Sequence, residues 1–187
     1  MSGLARKIEP RLNAEQFISC VSHQNDDDRY ELIDGFVHAM GLESLEHSEA
    51  KASIFALLRA ALGSGPCRAY VDGRAIKTSD YDCRIPDIVV DCGGKTPGSY
   101  YADDPEVIIE VASPSTHHLD ISDKRDAYMG LDTVKEYIVI FTGPTAIFHH
   151  RKTAKGDLSQ TALTGDTFIL NSLDLEVSVA DIFGGIA

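Results

Sequence analysis

The run Glu106-Val107-Ile108-Ile109-Glu110-Val111-Ala112 constrains the fold more than any other part of the chain. A near-continuous apolar stretch of this kind is the signature of a central strand covered on both faces, so structure must lie above and below a sheet. Ile85-Pro86-Asp87-Ile88-Val89-Val90 has the same character, apolar and β-branched except at Asp87, and residues 136–141 read as another buried strand. Around these strands the pattern turns helical. Asn13 is placed to cap a short helix through about Ser22, and Ile54, Leu57, Leu58, Ala61 and Leu62 recur at helical spacing over 47–62, with Gly63 just past the end. A further helix is expected over about 120–129, ending at Gly130. Residues 30–40 read as a hairpin turning at Asp34-Gly35, and strands are expected over 68–71 and 75–78. From Ala146 onward, short strands and turns lead to an apolar tail over 177–186. The mixture predicts an α/β or α+β fold with one mixed sheet. A chain of 187 residues suits a single domain with its own core, with residues 1–12 as a loose leader.

Charge narrows the function. Lys and Arg number 17 against 29 Asp and Glu, a net charge of −12. That argues against a protein that coats nucleic acid, since phosphate binding is driven by Lys and Arg, but it leaves room for an enzyme that meets DNA in one local groove. Cysteines 20, 67, 83 and 92 contain no C-x-x-C pair, so neither a disulfide framework nor a zinc site is expected and the thiols are read as reduced. There is no signal-peptide pattern and no run near the ~20 apolar residues that span a bilayer, so a soluble cytoplasmic protein without a membrane partner is expected. The pairs His117-His118 and His149-His150 do not chelate by themselves, because adjacent side chains diverge. Ser113 and Ser115 lack the G-x-S-x-G context of a hydrolase nucleophile, and no glycine cluster matches a phosphate-binding loop.

Asp87 and Glu110 are the anomaly. Each interrupts a strand that otherwise reads as core, and a buried carboxylate must be paired, protonated or bound to a cation. If the two strands are neighbours, both side chains converge near the strand ends, where two hard oxygen ligands with a backbone carbonyl and waters suit Mg²⁺ or Mn²⁺. The plain alternative is that each acid pairs with an Arg or Lys or meets solvent. Asp120, Lys124 and Tyr128 stand at i, i+4 and i+8, on one face of a helix that follows directly on the Glu110 strand. A lysine there is placed to stabilise developing phosphorane-like charge or to orient an attacking water. Its plain alternative is an exposed Asp–Lys pair.

These residues carry a resemblance. Pro86-Asp87, Glu110-Val111, Ser113-Pro114-Ser115-Thr116, Asp120, Lys124 and Tyr128 resemble the Uma-two family, whose members are described as restriction endonucleases. Tyr30-Glu31-Leu32-Ile33-Asp34-Gly35, His47 at the opening of the long helix, and Glu136-Tyr137 extend the likeness from about residue 13 to residue 184; residues 108–128 are its most specific part. That family is assigned to the PD-(D/E)XK nuclease superfamily, so the resemblance implies a restriction-endonuclease-like mixed central sheet flanked by helices. It implies Asp87 and Glu110 as catalytic and metal-binding acids, with the Val111 backbone carbonyl as a further ligand and Mg²⁺ (or Mn²⁺) as cofactor. The superfamily lysine normally stands two residues after the acid, where this chain has Ala112; Lys124 matches the place to which it has moved in this family. Glu31, His47, Asp120 and Tyr128 follow as secondary candidates for metal, water or substrate contact. The implied activity is metal-dependent phosphodiester hydrolysis with DNA as substrate. The rivals are a catalytically silent binding module and a hydrolase of small phosphoesters. Cutting both strands favours a homodimer, with the apolar tail and the Tyr100-Tyr101 loop as candidate interfaces.

Overall fold

The computed structural model describes residues 11–24, 28–94, 96–112, 120–142, 145–153, 156, 158–163 and 166–184. Its centre is a six-stranded mixed sheet, in the order β10 (Leu158–Leu163), β9 (Thr145–Lys152), β8 (Glu136–Thr142), β7 (Pro105–Ala112), β6 (Ile88–Asp91), β3 (Arg68–Val71). Neighbouring strands are antiparallel except β7 and β8, which are parallel. Val107, Ile109 and Val111 of β7 enter one core, and Ile108 and Ala112 enter another on the opposite face. This double burial is why β7 reads as a near-continuous apolar sequence, interrupted inside the sheet at Glu110. A second sheet, β2 (Phe36–Ala39), β1 (Tyr30–Ile33), β5 (Cys83–Arg84), β4 (Ile76–Lys77), packs with α1 (Ala14–Val21) around Phe17 and Leu32.

Helix α2 (Leu45–Leu62) covers the first face with Ala50, Ile54 and Leu58. Ser44 caps it, accepting from the His47 backbone N–H at 3.3 Å, so the helix begins two residues earlier than the apolar spacing indicates. The second face is covered by a π-helical turn, Asp120–Lys124, that runs into α3 (Arg125–Met129), where one continuous helix was expected. Parallel strands require a crossover connection, and in β7–α3–β8 that connection lays Tyr128 and Met129 back on the sheet. The β1–β2 turn is the expected one: Asp34 and Gly35 take φ of 50° and 80°, the paired left-handed geometry of a two-residue hairpin loop.

Three expectations are corrected. Cys67 and Cys92 form a disulfide. Arg68 pairs with Asp91 across β3 and β6, so the next residues outward face each other, a register that cysteine spacing does not reveal. The leader is not wholly loose: Leu12 N–H donates to the Gly35 carbonyl at 2.8 Å and Arg11 pairs with Asp34, while residues 1–10 lie outside the described residues. The apolar tail does not present a free surface as far as it is described. Strands β11 (Thr167–Leu170) and β12 (Leu175–Ser178) form a hairpin, and α4 (Val179–Phe183) puts Ile182 into the first core with Val177. Among the described residues, no helix is long and apolar enough to cross a membrane.

Glu136 ties that hairpin to the sheet. Its buried carboxylate meets His149 Nε2 at 2.6 Å and accepts from the Ser172 hydroxyl and backbone N–H at 2.6 Å each. Burial alone would raise this carboxyl, but these donors overcome it and hold it at about 2, against an ordinary 4.5. A carboxyl depressed by folding contributes stability that is fully present above the unfolded value and lost as pH falls toward the folded one. Glu136→Gln is therefore expected to cost on the order of 3 kcal/mol at pH 7 in urea unfolding. The gap to wild type should narrow between pH 4.5 and 2; a gap independent of pH would show that the charge is not what stabilises the anchor.

Candidate active site

Antiparallel pairing brings the two anomalous acids together. Ile88 stands opposite Ile109, so Asp87, one residue before β6, stands opposite Glu110. At Pro86-Asp87 the chain leaves the sheet and the ladder loses its backbone acceptor. The Asp87 side chain replaces it: Oδ2 accepts the Val111 N–H at 2.8 Å. The N–H and C=O of one strand residue point to the same edge, so the Val111 carbonyl also faces the gap that β6 leaves. Both acids are nearly inaccessible, at 4% for Asp87 and 3% for Glu110.

Compensation for Glu110 comes from the crossover helix. Lys124 Nζ lies 2.9 Å and the Tyr128 hydroxyl 3.1 Å from Glu110 Oε1. The π-helical turn delivers Lys124 one turn ahead of Tyr128, and both reach the same oxygen. Burial first, then the negative charges of Glu110 and Glu31, push the Tyr128 phenol well above its ordinary range, which keeps it a neutral donor. Glu31 enters from β1. Its Oε1 accepts the Ile85 N–H at 3.0 Å and lies 3.8 Å from Lys124 Nζ, and its other oxygen lies 3.6 Å from Arg84.

Compensation for Asp87 comes from the first turns of α2. His47 Nε2 lies 3.2 Å from Asp87 Oδ1 and 3.8 Å from Glu43 Oε2, and Lys51 Nζ lies 3.8 Å from Asp87. Burial alone would raise the Asp87 carboxyl, but the His47 contact, the Val111 N–H and the Lys51 charge hold it below its ordinary range. Behind them, Lys51 binds Glu43 and Asp72, and Arg29 bridges the same two acids.

Asp87, Glu110, Val111, Lys124, His47 and Glu31 are thus gathered at one end of the sheet, with Tyr128 beneath them. The Asp120 side chain and residues 113–119 lie outside the described residues. Glu43, Lys51 and Asp72 escaped the sequence reading. Glu43, His47 and Lys51 recur every fourth residue, and that stripe continues the buried positions Ile54 and Leu58 toward the helix start.

A cavity of about 190 Å³ is lined by His47, Asp87, Glu110, Val111 and Lys124 with the loop before α2. This volume takes about six waters or a hydrated cation with a phosphate group. Hard carboxylate oxygens and a backbone carbonyl fit Mg²⁺ or Mn²⁺, and Glu43, His47 and Asp87 each offer a ligand atom within 4.8 Å of the others. A larger cavity, about 600 Å³, opens beside Glu136, but that carboxylate is already satisfied by His149, Asn171 and Ser172. The smaller cavity gathers the candidate residues His47, Asp87, Glu110, Val111 and Lys124.

Removing Lys124 takes away the ammonium that Glu110 and Glu31 share in a buried place. Lys124→Met is expected to destabilise the metal-free protein by about 3 kcal/mol, and adding Glu110→Gln to recover more than half of that. Urea unfolding in chelator measures both. Strictly additive losses would mean that Lys124 serves only through its packing.

The sequence pattern of the family described as "Uma2: Putative restriction endonuclease" matches residues 14–180. A protein of Synechocystis sp., named "Uncharacterized protein slr1290", is 27% identical over 183 residues, covering 95% of this chain and 94% of its own. The fold resembles a crystal structure from Anabaena variabilis titled as a "putative nuclease belonging to DUF820", with a TM-score of 0.75 at 14% identity over 94% of this chain and 99% of that one. At such identity the likeness is one of fold. The family match spans nearly the whole chain and includes both buried acids and Lys124, so the chain belongs to the Uma2 family of restriction-endonuclease-like proteins.

Proposed function

We propose that this protein is a metal-dependent endonuclease that hydrolyses phosphodiester bonds in DNA. The observation that carries this reading is the convergence of Asp87 and Glu110 on one cavity, with Lys124 directly on Glu110. Asp87, Glu110 and the Val111 carbonyl would hold Mg²⁺ or Mn²⁺, with Glu43 and His47 beside them. When bound, a divalent cation supplies positive charge at the scissile phosphate and makes water acidic enough to attack at neutral pH. The chain's own residues do the rest. Lys124 orients the attacking water and stabilises the negative charge that develops on the phosphoryl oxygens. His47 and Tyr128 keep the two acids oriented, and Glu31 keeps Lys124 over Glu110. Water adds across the P–O bond: its hydroxyl ends on phosphorus and its proton on the leaving oxygen.

With a net charge of −12, substrate contact is confined to this groove rather than spread over the surface. Two copies related by a two-fold axis would cut both strands, and this is the assembly we assign to the active form. Of the two surfaces suggested by the sequence, the Tyr100 loop remains exposed.

Calorimetric titration with Mg²⁺ and Mn²⁺, free and with duplex DNA present, tests the reading on wild type beside Asp87→Ala and Glu110→Ala. Binding should disappear in both variants, and plasmid nicking by Lys124→Ala should fall about 10²- to 10³-fold. Metal binding without nicking, but with turnover of a small phosphoester, would move the assignment to that substrate class. No binding under either condition would leave a silent member of the fold that acts by interaction.

A further inference from the structure

We infer that Lys51 is a built-in cation standing where a second divalent ion would sit, so that each site loads one metal ion; this rests on the metal-dependent reading above. Two carboxylates and a histidine, Glu43, Asp87 and His47, offer ligand atoms at spacings that a cation serves. The Lys51 ammonium already lies among them. It is 2.6 and 2.5 Å from the two Glu43 oxygens, 3.2 and 3.0 Å from those of Asp72, and 3.8 Å from Asp87. Its side chain comes from the buried face of α2, in line with Ile54 and Leu58, where an aliphatic residue would otherwise pack. An ammonium in that position is tolerated only because the acids around it are ionised and close. Glu43 and Asp72 are held further by Arg29.

Charge balance points the same way. Among the described residues the cluster holds five carboxylates, Glu31, Glu43, Asp72, Asp87 and Glu110, against four fixed cations, Arg29, Lys51, Arg84 and Lys124. The sum is one negative charge. One divalent ion brings the site to one positive charge, which matches the single negative charge of a phosphodiester. A second would leave an excess of positive charge in a buried place, with no further acid of the cluster among the described residues to neutralise it. Lys51 is therefore a positioning residue. It neutralises Glu43 on the far side of Asp87, which leaves Asp87 and Glu110 to hold the one ion, and touches neither substrate nor the reacting atoms.

The test counts bound Mn²⁺ per chain by electron paramagnetic resonance in the full-length protein, with Asp87→Ala as control for the underlying site. Wild type should bind one ion. Lys51→Met, of similar length but uncharged, should bind two, and adding Glu43→Gln should remove the second. Lys51→Arg should bind one, as wild type does. A wild-type count of two overturns the inference while leaving metal dependence intact, and needs no variant to fold. A count that stays at one in a folded Lys51→Met or Lys51→Gln protein also overturns it. No Mn²⁺ bound by wild type, with or without duplex DNA, would instead defeat the metal-dependent reading itself.

Discussion

The interaction on which the rest of the site depends is the Asp87 carboxylate in the place of a strand. The β6–β7 ladder ends at Ile88 and Ile109, and Asp87 continues it with a side-chain oxygen on the Val111 N–H. This single substitution of side chain for backbone does two things. It fixes a charged group at the end of a buried sheet, and it turns the Val111 carbonyl toward the gap beyond. A buried carboxylate without compensation costs several kcal/mol, so every element that reaches this end of the sheet must bring a partner. Helix α2 brings His47 and Lys51, and the crossover brings Lys124 and Tyr128 for Glu110 across the ladder.

The parallel pairing of β7 and β8 explains why the lysine comes from a helix. A parallel pair cannot be closed by a tight turn, and its crossover has to lie over one sheet face. Glu110 shares that face with Ile108 and Ala112, so a residue on the crossover helix meets it directly. A lysine two residues after the acid would project from the same strand face; here that position is Ala112, packed in the core. The ammonium is delivered by the helix instead, one turn ahead of Tyr128.

Glu136 shows the contrast between a buried acid taken up in anchoring a hairpin and buried acids that line a cavity. It too is a buried carboxylate on a central strand, but its oxygens are taken up by His149, Asn171 and Ser172, which pin the β11–β12 hairpin. Asp87 and Glu110 are also compensated, yet they line a cavity together, and the lysine on Glu110 lines it with them. Burial alone does not separate the two cases. Convergence on shared open volume does.

Much of this was legible in the sequence, because local rules act on local residues. Near-continuous apolar runs identified β6, β7 and β8, Asp34-Gly35 identified the hairpin, and two acids inside core strands marked positions that needed compensation. The i, i+4 spacing of Lys124 and Tyr128 also held, since both side chains reach Glu110. What tertiary structure alone decided was register and proximity. The disulfide between Cys67 and Cys92 follows from the β3–β6 pairing, 25 residues apart in sequence. The tail looked like spare apolar surface until packing put Val177 and Ile182 into the core. Nothing in the sequence singled out Lys51, because its partners Asp72 and Asp87 come from segments that only the folded sheet brings beside it. Sequence determines which residues need a partner when buried; only the fold decides which partner arrives, because charge compensation acts over a few ångströms of space regardless of distance along the chain.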